Sequence, residues 1–183
     1  MDVDELPVGK SSRGGDNNPF GSEFPNEQPS NNESSNKTME ERLASKKWNE
    51  RASAYEELNE KLKQISKEKD PFLYDQAEGF KKYLKDNNPG ALEKAVDWFI
   101  EFVKKADNSI LSEMQTTSID LLINKSISHL KPSLQEKGKE AICCMIENTE
   151  DFEGVSEAVC ITVKGTNVKV SIQNISFFNQ IME

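Results

Sequence analysis

Residues 45–58 read SKKWNERASAYEEL, which sets a tryptophan among basic residues where a helix is predicted to begin. Apolar residues then recur at intervals of three and four, which places them on one buried helical face: Ala52, Tyr55, Leu58, Leu62 and Ile65. Trp48 lies one turn ahead of this face. Its indole is therefore either a core side chain at a helix corner, as most large aromatics are, or a contact residue displayed on a loop. This helix is predicted to run to about Lys67.

Similar patterns predict helices before and after this one. Thr38 and Glu41 have the spacing of a capping box, so a short first helix should start near Met39. The Asp-Pro pair at residues 70–71 suits the first turn of a third helix. Residues 86–90, DNNPG, should form an interhelical break. The helix after it has the most regular apolar face in the chain: Leu92, Ala95, Val96, Phe99, Phe102, Val103 and Ala106.

Tryptophan 98 lies off that apolar face, so we expect Trp98 to pack against a neighbouring helix pair. A fifth helix is predicted from Ile110 to about His129. Its partner helix follows Pro132 and contains Gly138, which is expected to mark a close approach between helices.

The C-terminal segment fits two secondary structures. Residues 158–172 are rich in β-branched side chains and alternate around Lys-Gly-Thr-Asn, which on local evidence predicts a β-hairpin. Two helical stripes fit as well, the first with Val155, Ala158, Val159 and Thr162, the second with Val168, Ile172, Ile175, Phe178 and Met182. We predict helices here, because three preceding helix pairs predict a fourth and tertiary context often overrides propensity.

The breaks inside successive pairs recur at roughly 35 to 43 residues, close to the repeat of HEAT-type helix pairs, at Trp48, Pro89, Pro132 and Asn167. Stacked pairs bury a shared core that no single pair could bury alone. We therefore predict an all-α fold, an α-solenoid of about four antiparallel helix pairs over residues 39–183. A disordered acidic and polar tail should precede it at residues 1–38, where apolar residues show no period.

Composition narrows the range of functions. The chain has 183 residues with 23 basic and 32 acidic side chains, and its net charge of −9 argues against broad binding to nucleic acid or an anionic membrane. The three cysteines have neither metal-ligand spacing nor the even count of a disulfide framework, so we expect reduced, largely buried thiols: Cys143, Cys144 and Cys160. No signal peptide or bilayer-length apolar run is evident, and we expect a cytoplasmic protein.

The sequence offers little for catalysis. It contains no phosphate-cradling Gly-rich loop, no His-centred dyad and no Gly-x-Ser-x-Gly elbow. The single histidine, His129, is expected at a helix C-terminus, where partial positive charge is favourable. We therefore expect no enzymatic activity, no cofactor and no metal site.

Basic residues gather at the predicted breaks of an otherwise acidic body: Lys46, Lys47, Arg51, Lys85, Lys131, Lys137, Lys164 and Lys169. If the breaks share one edge of the solenoid, these residues form a positive ridge that suits an acidic protein partner. Alternatively, the lysines simply populate solvated helix ends.

Several of these segments resemble the tumour-overexpressed-gene (TOG) domains of the microtubule polymerase family. Residues 48–58 match a W-x-x-R-x-x-A-Y-E-E-L pattern of the first repeat, and residues 86–88 look like the D-S-N turn of the second. Residues 131–138 are similar to the third loop, and residues 167–170 match its N-x-K-V fourth loop.

The resemblance implies binding of the αβ-tubulin dimer, at microtubule plus ends, along the loop edge. Trp48 would serve as an aromatic anchor, and Lys131 and Lys169 would make charge-assisted contacts. Asn88 would contribute by its position in the second loop. The implied function is regulation of microtubule dynamics, with a location on microtubules, the spindle or the centrosome. A complete TOG domain is similar in having six helix pairs, of which residues 39–183 would supply four.

A general HEAT-type scaffold or trafficking adaptor is the alternative function. Asn18-Pro19-Phe20 resembles the tripeptide ligands of endocytic EH domains, which would make an EH-domain protein a second partner. The same tripeptide also suits a flexible leader with no binding role.

Overall fold

A computed structural model describes residues 37–66 and 70–165, apart from the side chains of Val163 and Gly165. The described part forms seven α-helices: α1 (Met39–Leu43), α2 (Trp48–Gln64), α3 (Pro71–Tyr83), α4 (Pro89–Val103), α5 (Asn108–Leu121), α6 (Pro132–Asn148) and α7 (Phe152–Gly165). A π-helical segment, Leu122–Ile127, continues α5. Residues 1–36 of the tail, including the Asn18-Pro19-Phe20 tripeptide, lie outside the described residues, as do the fourth loop and Lys169. Lys37 and Thr38, which we expected in the disordered tail, are ordered: Lys37 pairs with Glu50, and Thr38 caps α1.

The helices pack as stacked pairs in two layers. Helices α2, α4 and α6 contact one another in that order, and α3, α5 and α7 form the second layer, while α1 packs on α2. The described residues thus hold three complete pairs, and α7 extends the second layer. The all-α solenoid predicted from the repeat is confirmed.

Side-chain caps fix where the helices begin. Thr38 and Glu41 form the predicted capping box at α1, and the Asp70 side chain accepts a hydrogen bond from the Phe72 amide at α3. Asn88 caps α4, and its Oδ1 lies 2.9 Å from the Gly90 nitrogen. Because each cap lies within a few residues of the helix it starts, the positions of the short connections follow from local sequence.

A chain of aromatic rings joins α2, α3 and α4 in the core. Tyr55 and Tyr83 have ring centroids 5.4 Å apart, and Tyr83 meets Trp98 edge-on at 5.0 Å. Trp98 then stacks on Phe102 at 5.3 Å and is completely buried, as expected from its position off the main apolar face. The rings therefore bind two successive pairs into one core.

Gly138 marks the close approach predicted between α6 and the preceding helix. A Cβ built on Gly138 would lie 2.8 Å from the Ser126 Cβ and 2.9 Å from Cγ1 of Ile127. Glycine is needed here because any side chain would push α6 away from the π-helical segment.

Two predicted helix boundaries require correction. α2 ends at Gln64, before the predicted Lys67, and the single helix predicted for residues 110–129 instead starts at Asn108 and changes to π-helical winding at Leu122. The altered winding accommodates an extra residue per turn, which apolar spacing alone does not reveal.

The C-terminal prediction is confirmed as far as the structure describes it. α7 carries the first half of the contested segment, so the hairpin alternative is wrong for residues 158–165. Val155, Ala158 and Val159 are buried on one face of α7, because α5 offers an apolar surface that a helix can cover. Tertiary packing outweighs the local β-propensity here.

The cysteines differ from the expectation of largely buried thiols. Cys144 is buried and Cys143 half-buried, but Cys160 is exposed on α7. Burial raises the pKa of the Cys144 thiol to about 11. Within the described ranges, no helix is both long and apolar enough to span a bilayer.

Candidate functional site

The three described connections inside pairs lie together along one edge of the solenoid, which we call the loop edge: residues 44–48, 84–90 and 128–132. Arg51 next to the first connection contacts Asp86 in the second. Lys131 in the third contacts Glu93 on α4, one turn beyond the second connection. These cross-pair contacts hold neighbouring connections side by side.

Trp48 is the first residue of α2 and its side chain is half-exposed, at 49%. A Cβ built on Gly90 would lie only 3.1 Å from Cζ3 of the indole, so the ring lies against the start of α4. The core alternative for Trp48 is therefore wrong. Because a Cβ at this position would crowd the ring, glycine at position 90 lets the indole lie close to the α4 backbone.

Arg51 and Asp86 connect the first and second loops through an ion pair with two hydrogen bonds. Arg51 Nε lies 2.6 Å from Asp86 Oδ2, and Nη2 lies 2.7 Å from Oδ1. Nη1 of Arg51 also donates to the Ser45 carbonyl at 2.8 Å, and the Tyr55 hydroxyl donates to Asp86. The Asp86 side chain is only 2% exposed and that of Arg51 18%. Arg51 therefore does not belong to an exposed positive ridge.

The electrostatics of this pair favour its charged form. Burial would raise the pKa of the Asp86 carboxyl, but hydrogen bonds from the Arg51 guanidinium and the Asn88 amide outweigh burial and hold that pKa below its usual value. The hydrogen bond to Asp86 likewise raises the pKa of Arg51. Burial and the neighbouring Asp86 charge raise the pKa of Tyr55, which therefore stays a neutral donor.

Asn88 stabilises the second connection of the loop edge through hydrogen bonds. Its backbone nitrogen donates to Asp86 Oδ1 at 2.9 Å, and its side-chain oxygen caps α4 by accepting from Gly90 and Ala91. The residue is half-buried. Sequence reasoning placed Asn88 at this edge by loop position alone, and the structure adds its hydrogen bonds.

The lysines near the third loop are paired with acids of the previous pair. Lys131 contacts Glu93, and Lys137 contacts Asp97, so both tie α6 to α4. The Lys131 side chain remains 43% exposed. Burial would raise the pKa of Glu93, but the hydrogen bond from Lys131 outweighs it and the pKa is lowered. The expected ridge is thus partly neutralised at this loop, whereas Lys46 and Lys85 are exposed.

One feature of the loop edge gave no signal in the sequence. Leu130 is 95% exposed, the largest exposed fraction among the large hydrophobic side chains of the described residues. The sequence singled out its neighbours Lys131 and Pro132 as part of the third loop, but it did not single out Leu130 itself. No three His, Cys, Asp or Glu side chains of residues 37–66 and 70–165 are grouped so as to hold a metal ion.

Comparison with known proteins identifies the domain. The chain is 25% identical over 146 residues to centrosomal protein 224 of Dictyostelium discoideum, covering 80% of this chain and 7% of that protein. It is 24% identical over 148 residues to spindle pole body component alp14 of Schizosaccharomyces pombe, covering 79% and 18% respectively. The chain thus spans less than a fifth of either relative.

A solved structure of microtubule polymerases with TOG domain arrays, described as a structural basis of tubulin recruitment and assembly, has the same fold. Its TM-score is 0.68 at 19% identity, covering 78% of this chain and 30% of that one. The family model for the XMAP215/Dis1/CLASP TOG domain matches residues 33–183. Since that match covers most of the sequence, the chain belongs to the XMAP215/Dis1/CLASP family of TOG domains.

Proposed function

We propose that this TOG domain binds the αβ-tubulin dimer through the loop edge, as a module of a cytoplasmic regulator of microtubule dynamics. Family membership supports the proposal, and so do the relatives' names, which refer to the centrosome and the spindle pole body. The matched solved structure concerns tubulin recruitment by microtubule polymerases. A location on microtubules, the spindle or the centrosome follows from the same proposal.

The observation that carries the proposal is the half-exposed indole of Trp48 on a rigid base. Few interface residues supply most binding energy, and tryptophan is the most enriched among them. Gly90 supports one side of the ring, and the Arg51–Asp86 pair fixes the two loops beneath it. A side chain that is already positioned loses little conformational entropy on binding. Trp48 would therefore insert against tubulin as the main anchor.

The remaining contacts would add charge and specificity. Lys131 and Lys169 would approach acidic tubulin side chains, which mainly raises the association rate. For Lys131 this means sharing its ammonium group with Glu93 or exchanging that partner for a tubulin carboxylate. Asn88 would contact tubulin from the second loop while its Oδ1 continues to cap α4. Because the chain has a net charge of −9, a local basic edge would favour the approach of an acidic partner at this site.

Hydrogen exchange with and without unpolymerised tubulin tests this binding mode. We expect amides of the loop edge to become protected, with the strongest change near Trp48. The connections between pairs, residues 104–107 and 149–151, lie at the opposite edge and should exchange at unchanged rates. Protection confined to that opposite edge would contradict the proposal, as would failure of the wild-type chain to co-elute with tubulin in size-exclusion chromatography.

A further inference from the structure

Leu130 is almost completely solvent-exposed, in contrast to the leucines of the described helices, which are buried. Single exposed apolar residues are common on protein surfaces, so exposure alone assigns no role. Leu130 differs in its location, because it lies on the loop edge shortly before the first residue of α6.

Hydrogen bonds on both sides of Leu130 hold its loop in place. Ser128 Oγ donates to the Ile123 carbonyl at 2.6 Å, and the Lys131 amide donates to Nδ1 of His129 at 3.0 Å. Gln135 Nε2 donates to the His129 carbonyl at 2.5 Å. The loop therefore presents Leu130 outward from a defined backbone conformation.

The preceding π-helical segment supports the same interpretation. The Ser128 amide donates to the Ile123 carbonyl at 3.0 Å, which is the i→i+5 bond of π-helical winding. Such segments are rare and often occur at functional sites. Single π-helical turns are a common cause of helix kinks, and the segment directly after this one is the loop that carries Leu130.

Trp48 lies at the start of α2 and Leu130 just before α6, and α4 is the helix between them in the same layer. Packed helices are separated by about 8–10 Å, so two spacings from α2 to α6 give roughly 20 Å. That distance lies within the footprint of an ordinary protein interface. Between the two apolar side chains lie Asn88 and the start of α4.

We infer that Leu130 is a second apolar contact with tubulin, entering an apolar recess on the same partner that receives Trp48. The inference rests on the proposed function and adds a residue that the sequence did not indicate. Charge supports a protein surface as the occupant, since Lys131 adjoins Leu130 and the chain as a whole is too acidic for an anionic membrane. Removing the apolar side chain should weaken binding without affecting the fold, because Leu130 has almost no contacts to lose.

Two substitutions at the same position separate apolar contact from other effects. Leu130→Asn removes the apolar group at similar size, and we expect its Kd for unpolymerised tubulin to rise about tenfold. Leu130→Met keeps an apolar side chain and should stay within about threefold of the wild type. Circular dichroism and urea unfolding should be unchanged for both variants.

Three results would overturn the proposed role of Leu130. Wild-type binding that Trp48→Ala weakens and Leu130→Asn leaves unchanged overturns the role of Leu130 while the proposed function stands. No binding of the wild type at any accessible concentration removes both. A concentration-dependent dimer of the chain alone in sedimentation velocity, abolished by Leu130→Asn, would assign the leucine to a second copy and overturn the inference.

Discussion

The guanidinium of Arg51 forms two parallel hydrogen bonds with the carboxylate of Asp86, which lies 35 residues later in the chain. This pair joins the first turn of α2 to the connection before α4. The exposed Trp48 indole lies next to it, so the pair fixes the structure beneath the proposed anchor.

Asp86→Ala should destabilise the fold by about 3 kcal/mol, because it leaves the largely buried Arg51 charge without its partner. Urea unfolding followed by circular dichroism measures the change. Glu56→Gln is the control, since its pair with Lys94 is exposed and should contribute less than about 0.5 kcal/mol. Equal effects of the two substitutions would contradict a structural role for the Arg51–Asp86 pair.

The stability that Asp86 contributes should depend on pH. Its folded pKa lies below the ordinary value of 3.8, so the folded state binds the proton less readily than the unfolded chain. The contribution is therefore present above about pH 4 and is lost as the pH falls through the folded pKa. Asp86→Asn lacks the titrating carboxyl and is the reference. The unfolding free energy of the wild type minus that of Asp86→Asn should be constant from about pH 5 to 7 and shrink below about pH 4. A difference independent of pH would rule out this titration.

The two tryptophans should differ in what they contribute to stability. Trp98→Ala should cost about 3–5 kcal/mol, because it removes a completely buried ring from the aromatic chain of the core. Trp48→Ala should cost no more than about 1 kcal/mol, since the indole is half-exposed. Urea titration of both variants provides the comparison. A large loss of stability in Trp48→Ala would mean that the ring is part of the core.

Gly138→Ala should destabilise the fold by about 1–3 kcal/mol although alanine has the higher helix propensity. The added methyl would meet Ser126 and Ile127 of the π-helical segment, and it would lie only 3.2 Å from the backbone nitrogen of Ile127. Thermal unfolding measures the loss. Glu140→Ala, on the exposed side of α6, should stay within about 0.5 kcal/mol. An increase in stability from Gly138→Ala would show that the helices can separate at no cost.

The helix pairs were predictable from sequence because their signals are local. Apolar spacing defined the buried faces, Thr38 and the Asp70-Pro71 pair marked the starts of α1 and α3, and the break at residues 86–90 marked the start of α4. The capping role of Asn88 itself was not predicted. Residues 158–165 are helical because they pack on α5. In the sequence, only the repeat of helix pairs indicated this outcome. The π-helical winding at Leu122 produced no periodic signal at all.

The candidate site was predictable in position but less so in its contacts. Trp48 was placed at the first break correctly, but its contact with Gly90, 42 positions away in sequence, is visible only in the fold. Arg51 and Lys131 were both expected among exposed cations, and both are paired with acids of another helix pair. Charge counts along a sequence cannot identify partners that only the stacking of pairs brings together.

The affinity for unpolymerised αβ-tubulin, measured for wild type, Trp48→Ala and Phe152→Ala, tests the central claim most directly. Phe152 is 44% exposed at the first residue of α7 on the opposite edge, so it matches Trp48 in aromatic character, exposure and helix position. We predict that Trp48→Ala raises the Kd at least about thirtyfold, as expected for an anchor contributing about 2 kcal/mol or more, and that Phe152→Ala leaves it unchanged. Equal affinities of wild type and Trp48→Ala, or a larger loss in Phe152→Ala, would contradict binding through the loop edge.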